Sequence, residues 1–350
     1  MIDDNQSLVI LAVVIFPLMM ALSWWITGRI LDYAIKNAII DYPNERSSHD
    51  IPKPRGGGVG IVILCIVCMS ILYFLNLLPF PFFMAALPGG LLIAFTGWLD
   101  DKHRIRISVR MAIYLISSLW ACYWLILSGS KIDTFLMILF LICAVGITWL
   151  TNLYNFMDGT DGFAAIEAVS VSVLITILAS LSGLYGLALI NLVIIATTAG
   201  FLIWNWPPAK IFMGDTGSCY LGFVFGVMTV SSFTLFKFPV SVWLVLLSVF
   251  ICDATLTLLK RILNREQWYK SHRSHSYQRL IQCGATHRQL LFGLLAINLL
   301  LLWPVAVLVF IYKNLVVDIV SLVLTVFFLV LLWTRIQGYY SRNRTFAPIS

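Results

Sequence analysis

Charge is scarce in this 350-residue chain: Asp, Glu, Lys and Arg make up 11% of it, against 60% apolar residues. That balance excludes an ordinary soluble domain, where about 45–50% of residues are apolar and about 25% charged. No stretch between its apolar runs is long enough for a separate water-soluble unit, so one integral membrane domain over residues 1–350 is expected. Internal repeats and low-complexity tracts are also missing. The seven cysteines, Cys65, Cys68, Cys122, Cys143, Cys219, Cys252 and Cys283, are odd in number and lie in apolar runs or on the inner side, which argues against a disulfide framework. Cys65 and Cys68 form a C-x-x-C with no second pair, so they are read as packing residues.

What the chain has is apolar length. Crossing a bilayer as a helix takes roughly 20 apolar residues. Runs of that order stand at 8–28, 58–78, 81–99, 111–128, 133–150, 163–181, 186–204, 217–235, 238–259, 290–311 and 314–334. They predict an all-α polytopic bundle of about eleven transmembrane helices. Asp3 and Asp4 precede the first run, where a cleaved signal carries positive charge, so that run is expected to be a retained span. Lys and Arg are almost missing from every second connection, which together hold only Lys131, Lys237 and Lys313; the other 20 of the 23 fall on the opposite side. Basic residues stay cytoplasmic, so the N-terminus is expected outside and the C-terminus in the cytoplasm. The net charge of +7 is thereby accounted for by topology, and no nucleic-acid partner is expected.

Polar chemistry collects in the inner connections, 29–57, 100–110, 151–162, 205–217 and 260–289. Carboxylates at a bilayer edge are costly unless they bind a cation or face water, yet Asp100, Asp101, Asp158, Asp161, Asp215 and Asp253 all fall there. In TNLYNFMDGTDG, residues 151–162, Asn152, Asn155, Asp158 and Asp161 repeat every three residues. A straight helix would splay them around about half its cylinder. Gly159 and Gly162 allow the helix to end near Asp158 and the side chains to converge, although D-G pairs also serve as plain turn residues. Asp100 and Asp101 form an adjacent carboxylate pair, kept where a metal or shared proton uses it, and Arg110 is among the basic residues that follow. Asp215 lies between Gly214 and Gly217, where backbone amides can approach a phosphate while the carboxylate holds a hard cation. His272, Arg273, His275 and Arg279 offer donors suited to diphosphate oxygens, and Gly56, Gly57 and Gly58 follow the stiff Pro52 and Pro54. Together these are the parts of an Mg²⁺-assisted phosphoryl transfer between a lipid and a water-soluble substrate.

The ordered motifs RSSHDIPKPRGGG at 46–58, WLDD at 98–101, NLYNFMDGTDG at 152–162, IFMGDTGS at 211–218 and HRSH at 272–275 resemble those of the polyprenyl-phosphate N-acetylhexosamine-1-phosphate transferases, the glycosyltransferase family 4 type. The R-S-S-H and H-R-S-H forms look most like the branch that initiates O-antigen. The resemblance implies transfer of a sugar 1-phosphate from a UDP-N-acetylhexosamine to undecaprenyl phosphate, releasing UMP. It implies Mg²⁺, with Mn²⁺ as an alternative, and a bacterial inner-membrane enzyme with its active site facing the cytoplasm; a homodimer is compatible with it. By motif match, Asp215 and Asn155 would meet the metal and diphosphate, and Asp100 or Asp101 the acceptor phosphate, with Arg110 steering it. Asp158 and Asp161 would shape the nucleotide site with Asn152, and Phe212 would stack on uracil. His272, Arg273 and His275 would clamp the diphosphate or sugar, and the first motif would bring Arg46, His49 and Arg55 to the substrates. Lys53 departs from the family pattern, standing where threonine is common, which bears on sugar preference. Direct attack by the lipid phosphate is expected over a covalent aspartyl intermediate, because a phosphate is an adequate nucleophile. The rival reading, a secondary transporter, usually shows repeated halves and midplane polar sites. Here the ionisable residues crowd the inner edge, and Asp318, inside the last span, is an exception for which a local hydrogen bond is the expected role.

Overall fold

The computed structural model of the chain describes residues 4–43, 51–103, 105–267 and 272–343, with side chains from residue 12 onward. Arg46 and His49 lie outside the described residues. The first helix, α1, runs Asp4–Lys36, and a short hairpin follows, β1 (Ile40–Asp41) and β2 (Lys53–Pro54), antiparallel with Ile40 opposite Pro54. Helices α2 (Val59–Phe74), α3 (Phe80–His103), α4 (Ile107–Cys122), α5 (Thr134–Met157), α6 (Phe163–Leu181), α7 (Tyr185–Asn205) and α8 (Gly214–Ser231) come next. Then come α9 (Val240–Leu246), α10 (Ser248–Leu263), a short α11 (Ser276–Gln282), α12 (His287–Ile297), α13 (Trp303–Tyr312) and α14 (Leu315–Asn343).

Among the described residues nine helical segments are long and apolar enough to cross a membrane, or ten with α9 and α10 taken as one bent span. The remaining expected span is α2, whose 16 residues reach only about 24 Å at 1.5 Å per residue. Every apolar run therefore finds its helix, and the run 163–181 has the same limits as α6. The departure lies at 238–259, where α9 and α10 meet at 66°. Leu247, between them, leaves helical geometry at φ −86° and ψ 0°, and the Ser248 hydroxyl donates to the Val245 carbonyl at 2.6 Å. A side-chain hydroxyl that satisfies a carbonyl at the break is a common cause of such kinks.

Helices α7 and α8 are deeply buried, whereas α1 and α14 form the rim. Between spans in lipid there is little hydrophobic drive, so close approach depends on small residues. Gly97 on α3 is the clearest case: a Cβ there would stand 2.6 Å from the Asp215 carbonyl and the Thr216 amide of α8. This approach puts the C-terminal end of α3 against the N-terminal end of α8, and α5 ends beside both. All seven cysteines are free, and Cys65 and Cys68 are buried in the core, with the Cys68 sulfur 3.3 Å from that of Met19. Asp318 accepts from the Ser241 hydroxyl at 2.8 Å, the local hydrogen bond expected of it.

Candidate active site

Arg110, in the first turn of α4, joins three helices. Its Nη1 lies 2.6 Å from Asp100 Oδ2 on α3 and 2.8 Å from Asp215 Oδ2 on α8, and its Nη2 donates to Asn155 Oδ1 on α5 at 3.2 Å. Asn155 completes the ring by donating from Nδ2 to Asp215 Oδ1 and to the Ser218 hydroxyl, both at 3.0 Å. A planar guanidinium spreads its donors over separate nitrogens in a fixed fork, which suits acceptors on three different helices. Tyr114 sits one turn further along α4, its hydroxyl 3.3 Å from Arg110 Nε. The four groups come from parts of the sequence up to 115 residues apart, and each lies at the same end of its helix pair.

The adjacent carboxylates divide their work. Asp100 turns to Arg110 and also accepts from the Ile105 amide at 2.5 Å. Asp101 turns to the start of α8, accepting from the Asp215 amide at 3.1 Å and from the Thr216 amide and hydroxyl at 3.2 and 2.8 Å. It caps the open end of a helix to which it does not belong, where unpaired amides and the helix dipole favour negative charge. Gly214 makes the cap fit: it sits at φ +77°, and a Cβ would come within 2.7 Å of Asp101 Oδ2. Arg55 braces this corner by donating to the Asp101 carbonyl at 2.5 Å and the Asp100 carbonyl at 3.4 Å.

The loop after α5 turns as its glycines suggest. The helix ends at Met157 with Asp158 as its cap, and Gly162 takes the left-handed conformation at φ +73°. Asp158 and Asp161 then part. Burial, followed by the charges of Asp215 and Asp101, raises the Asp158 carboxyl well above the ordinary range. Asp161 accepts from both the Lys53 ammonium at 3.2 Å and the Ala209 amide at 2.9 Å, and His287 Nδ1 is 3.3 Å away. Burial alone would raise its pKa, but the bonds from His287 and Ala209 and the charge of Lys53 bring it down to about 2. Asp161 thus ties β2, the 205–212 segment and the start of α12 together. Asn152, one turn before Asn155, is half-buried and makes no side-chain hydrogen bond among the described residues.

The histidine segment is held against this loop from behind. Both oxygens of the buried Asp253 on α10 accept from the Ser276 amide, at 2.9 and 3.0 Å. Tyr277 donates to the Phe156 carbonyl at 2.9 Å, and Gly159 has no room for a side chain beneath the Tyr277 hydroxyl. His275 stacks on Tyr277, with Phe156 and His272 also beside it. Burial, with Arg261 and Arg279 adding repulsion, lowers the His275 pKa to about 4, and burial and His275 lower that of His272 to about 3. Both rings are neutral at cellular pH. The Arg273 carbonyl accepts from Gln282 at 3.0 Å, which fixes the backbone of that segment. Phe212 precedes α8 in a parallel bridge with Arg55, and Lys53 lies 5.1 Å from its ring centroid.

The structure therefore gathers Asp100, Asp101, Arg110, Asn155, Asp158 and Asp215 at one centre, places Asp161, Phe212 and Arg55 on one flank and His272, Arg273 and His275 on another. Ser218, Tyr114, Tyr277 and His287 were not among the expected site residues. Ser218 is the one a pattern could have found, because it stands three residues after Asp215 on the same helix face.

A magnesium ion suits this donor set. Mg²⁺ takes one or two protein carboxylates and completes its shell with water and phosphate oxygens. The oxygens of Asp215, Asp158 and Asn155 are of the right hardness for such an ion. No group of three or more His, Cys, Asp or Glu side chains is arranged as a metal cage among the described residues, so an ion here would be held by few protein ligands.

The sequence profile of glycosyl transferase family 4 matches residues 83–233, which run from the first turn of α3 past the end of α8 and hence include Asp100, Asp101, Arg110, Asn155, Asp158, Asp161, Phe212 and Asp215. The chain is 29% identical over 305 residues to a probable undecaprenyl-phosphate N-acetylglucosaminyl 1-phosphate transferase of Bacillus subtilis, covering 82% of this chain and 81% of that protein. It is 26% identical to a decaprenyl-phosphate N-acetylglucosaminephosphotransferase of Mycolicibacterium smegmatis, over 81% of this chain and 77% of that protein. It is 30% identical to a phospho-N-acetylmuramoyl-pentapeptide-transferase of Prochlorococcus marinus, over 51% of this chain and 55% of that protein.

Proposed function

Because this chain belongs to the polyprenyl-phosphate N-acetylhexosamine-1-phosphate transferase family and is a multi-pass membrane phosphotransferase, we propose that it transfers a sugar 1-phosphate from a UDP-N-acetylhexosamine to undecaprenyl phosphate. The products are undecaprenyl-diphospho-sugar and UMP. We place the reaction at the cytoplasmic face of a bacterial inner membrane, as the first step of O-antigen or a related envelope glycan.

The observation that carries this reading is the convergence of Asp100, Asn155 and Asp215 on Arg110 at one end of the bundle. Phosphoryl transfer depends mostly on position and charge neutralisation, and this cluster supplies both signs of charge within one site. Arg110 is proposed to receive the acceptor phosphate, exchanging a carboxylate for a phosphate that can likewise accept from the guanidinium. Asp100 and Asp101 hold Arg110 and the first turn of α8 in place for it. Asp215, Asn155 and Asp158 are the residues proposed to hold Mg²⁺. Bound there, Mg²⁺ would neutralise the donor diphosphate and ease departure of UMP. Phe212 is proposed to stack on uracil, and the 272–275 segment to line the sugar side. The acceptor phosphate attacks directly in this reading; a covalently phosphorylated aspartate on the turnover path would overturn that. An apolar cavity of about 210 Å³ beside Met157, lined by Phe163, Leu290, Leu294 and Trp333, favours a substrate with a hydrocarbon part.

The test is direct. Purified protein, undecaprenyl phosphate and Mg²⁺ should release UMP from a UDP-N-acetylhexosamine, and a panel of such donors identifies the sugar. No UMP from any donor, together with solute uptake into vesicles, would favour a transporter instead.

A further inference from the structure

Lys53 stands between two features of the donor flank. Its Nζ is 3.2 Å from each Asp161 oxygen and lies over the Phe212 ring, 5.1 Å from the centroid. The backbone enforces that pairing: the Phe212 amide donates to the Pro54 carbonyl at 2.9 Å, and the Gly57 amide to the Phe212 carbonyl at 2.9 Å. Ring and ammonium are thus carried on bonded segments that hold them in register. Phe212 is half-buried and the Lys53 side chain is 15% exposed, so the pair lies at the mouth of the site.

Asp161 does not depend on Lys53. With Lys53 gone it still accepts from the Ala209 amide at 2.9 Å and lies 3.3 Å from His287. Lysine is a point charge on a flexible four-carbon stem, able to swing several ångströms and to change partners without a directional fork. A base that stacks on the face under Lys53 takes its place. The displaced ammonium then needs a new anion within reach.

Resting on the reading that the donor's base stacks on Phe212, we infer that Lys53 determines specificity by being displaced: it covers Phe212 while paired with Asp161, yields to the base, and pairs with the donor diphosphate. A nucleoside displaces Lys53 and gives nothing back. A nucleoside diphosphate supplies the charge that compensates the loss. Lys53 therefore selects for the diphosphate beyond what simple attraction would give, because it penalises ligands that lack one.

The experiment compares Lys53→Met with the wild type as purified full-length protein in detergent, measuring dissociation constants for uridine and UDP by calorimetry. Methionine keeps the stem and removes the charge, and the thermal midpoint of the variant should stay close to that of the wild type. Uridine should bind more tightly to Lys53→Met and UDP more weakly, so that the preference for UDP over uridine falls by about tenfold, or about 1.4 kcal/mol. In turnover the variant should raise KM for the UDP-sugar more than it lowers kcat. Equal weakening of both ligands, or no change in either, would show that Lys53 is a fixed tie and overturn the inference. Failure of the wild type to bind any uridine compound would instead remove the base-stacking reading on which the inference stands.

Discussion

Arg110 and Asp215 are paired at 2.8 Å across the contact of α4 with α8, and the same guanidinium nitrogen is 2.6 Å from Asp100. One guanidinium thus pairs with two carboxylates from different helices. A lysine at 110 has one nitrogen in place of the two that divide the acids from Asn155, so Arg110→Lys should keep the net charge, lose the planar fork and lose about 10- to 100-fold in kcat/KM for the acceptor lipid. UMP release measured against undecaprenyl phosphate concentration checks it. Unchanged kinetics would mean that charge alone matters at this position.

Asp215→Asn removes the charge at the proposed metal site with little change in volume. The Asp215 amide would still be capped by Asp101, so the fold should persist. Turnover should fall by about 10²–10³, the range seen when a preorganised charge-stabilising group is lost. A normal thermal midpoint with normal turnover would take Asp215 out of the metal role.

The sequence disclosed the spans and the central cluster but not the division of labour within it. Apolar length and the basic-residue count are local signals, so each of the eleven runs found its helix and the acidic connections proved to share one end. The 66° break at Leu247 was hidden because every residue around it is apolar or small, and only the Ser248 hydroxyl reveals why the chain bends there. Asp100 and Asp101 look alike in sequence. Which one faces Arg110 and which caps α8 depends on how closely α3 approaches α8, and that is fixed by Gly97, a contact 118 residues away from Asp215 in the chain. Asp161 likewise reads as a partner of Asp158 until the fold brings Lys53, Ala209 and His287 to it.

Gly97→Ala tests that approach. The new methyl would meet Asp215 and Thr216 backbone atoms at 2.6 Å, and backbone cannot step aside as a side-chain tip can. Overpacking of this kind costs about 1–3 kcal/mol. The variant should therefore melt earlier in detergent and lose activity out of proportion to its stability, because Asp101 is carried away from the amides that it caps. A variant with wild-type midpoint and rate would show that α3 can shift freely.

The histidine segment should respond to acid. His275 has its pKa lowered to about 4 by burial and by Arg261 and Arg279, against an ordinary value of about 6.5 in the unfolded chain. Between those values the unfolded chain binds the extra proton, so stability falls as pH drops from about 6.5 toward 4. At pH 5 the loss for this residue is at most about 2 kcal/mol. His275→Phe keeps a ring to stack on Tyr277 and does not titrate. Its thermal midpoint should fall less than that of the wild type between pH 7 and pH 5, with the remainder reporting His272. Parallel falls in both proteins would place the acid sensitivity elsewhere.

Chelation should separate catalysis from folding. Arg110 already pairs with both Asp100 and Asp215 within the protein, so removing a divalent ion leaves neither carboxylate without a cationic partner. EDTA should therefore abolish UMP release while leaving the thermal midpoint nearly unchanged, and added Mg²⁺ or Mn²⁺ should restore the rate. Affinity for the ion should be weak in the protein alone and tighten when a UDP-sugar is present, because Mg²⁺ draws much of its shell from substrate phosphates. Midpoints measured with Mg²⁺ and UDP-sugar separately and together would show this as a shift larger than the sum of the two, by linkage. Full turnover after exhaustive chelation would remove the ion from the mechanism, and a large loss of midpoint in EDTA alone would make it a structural metal.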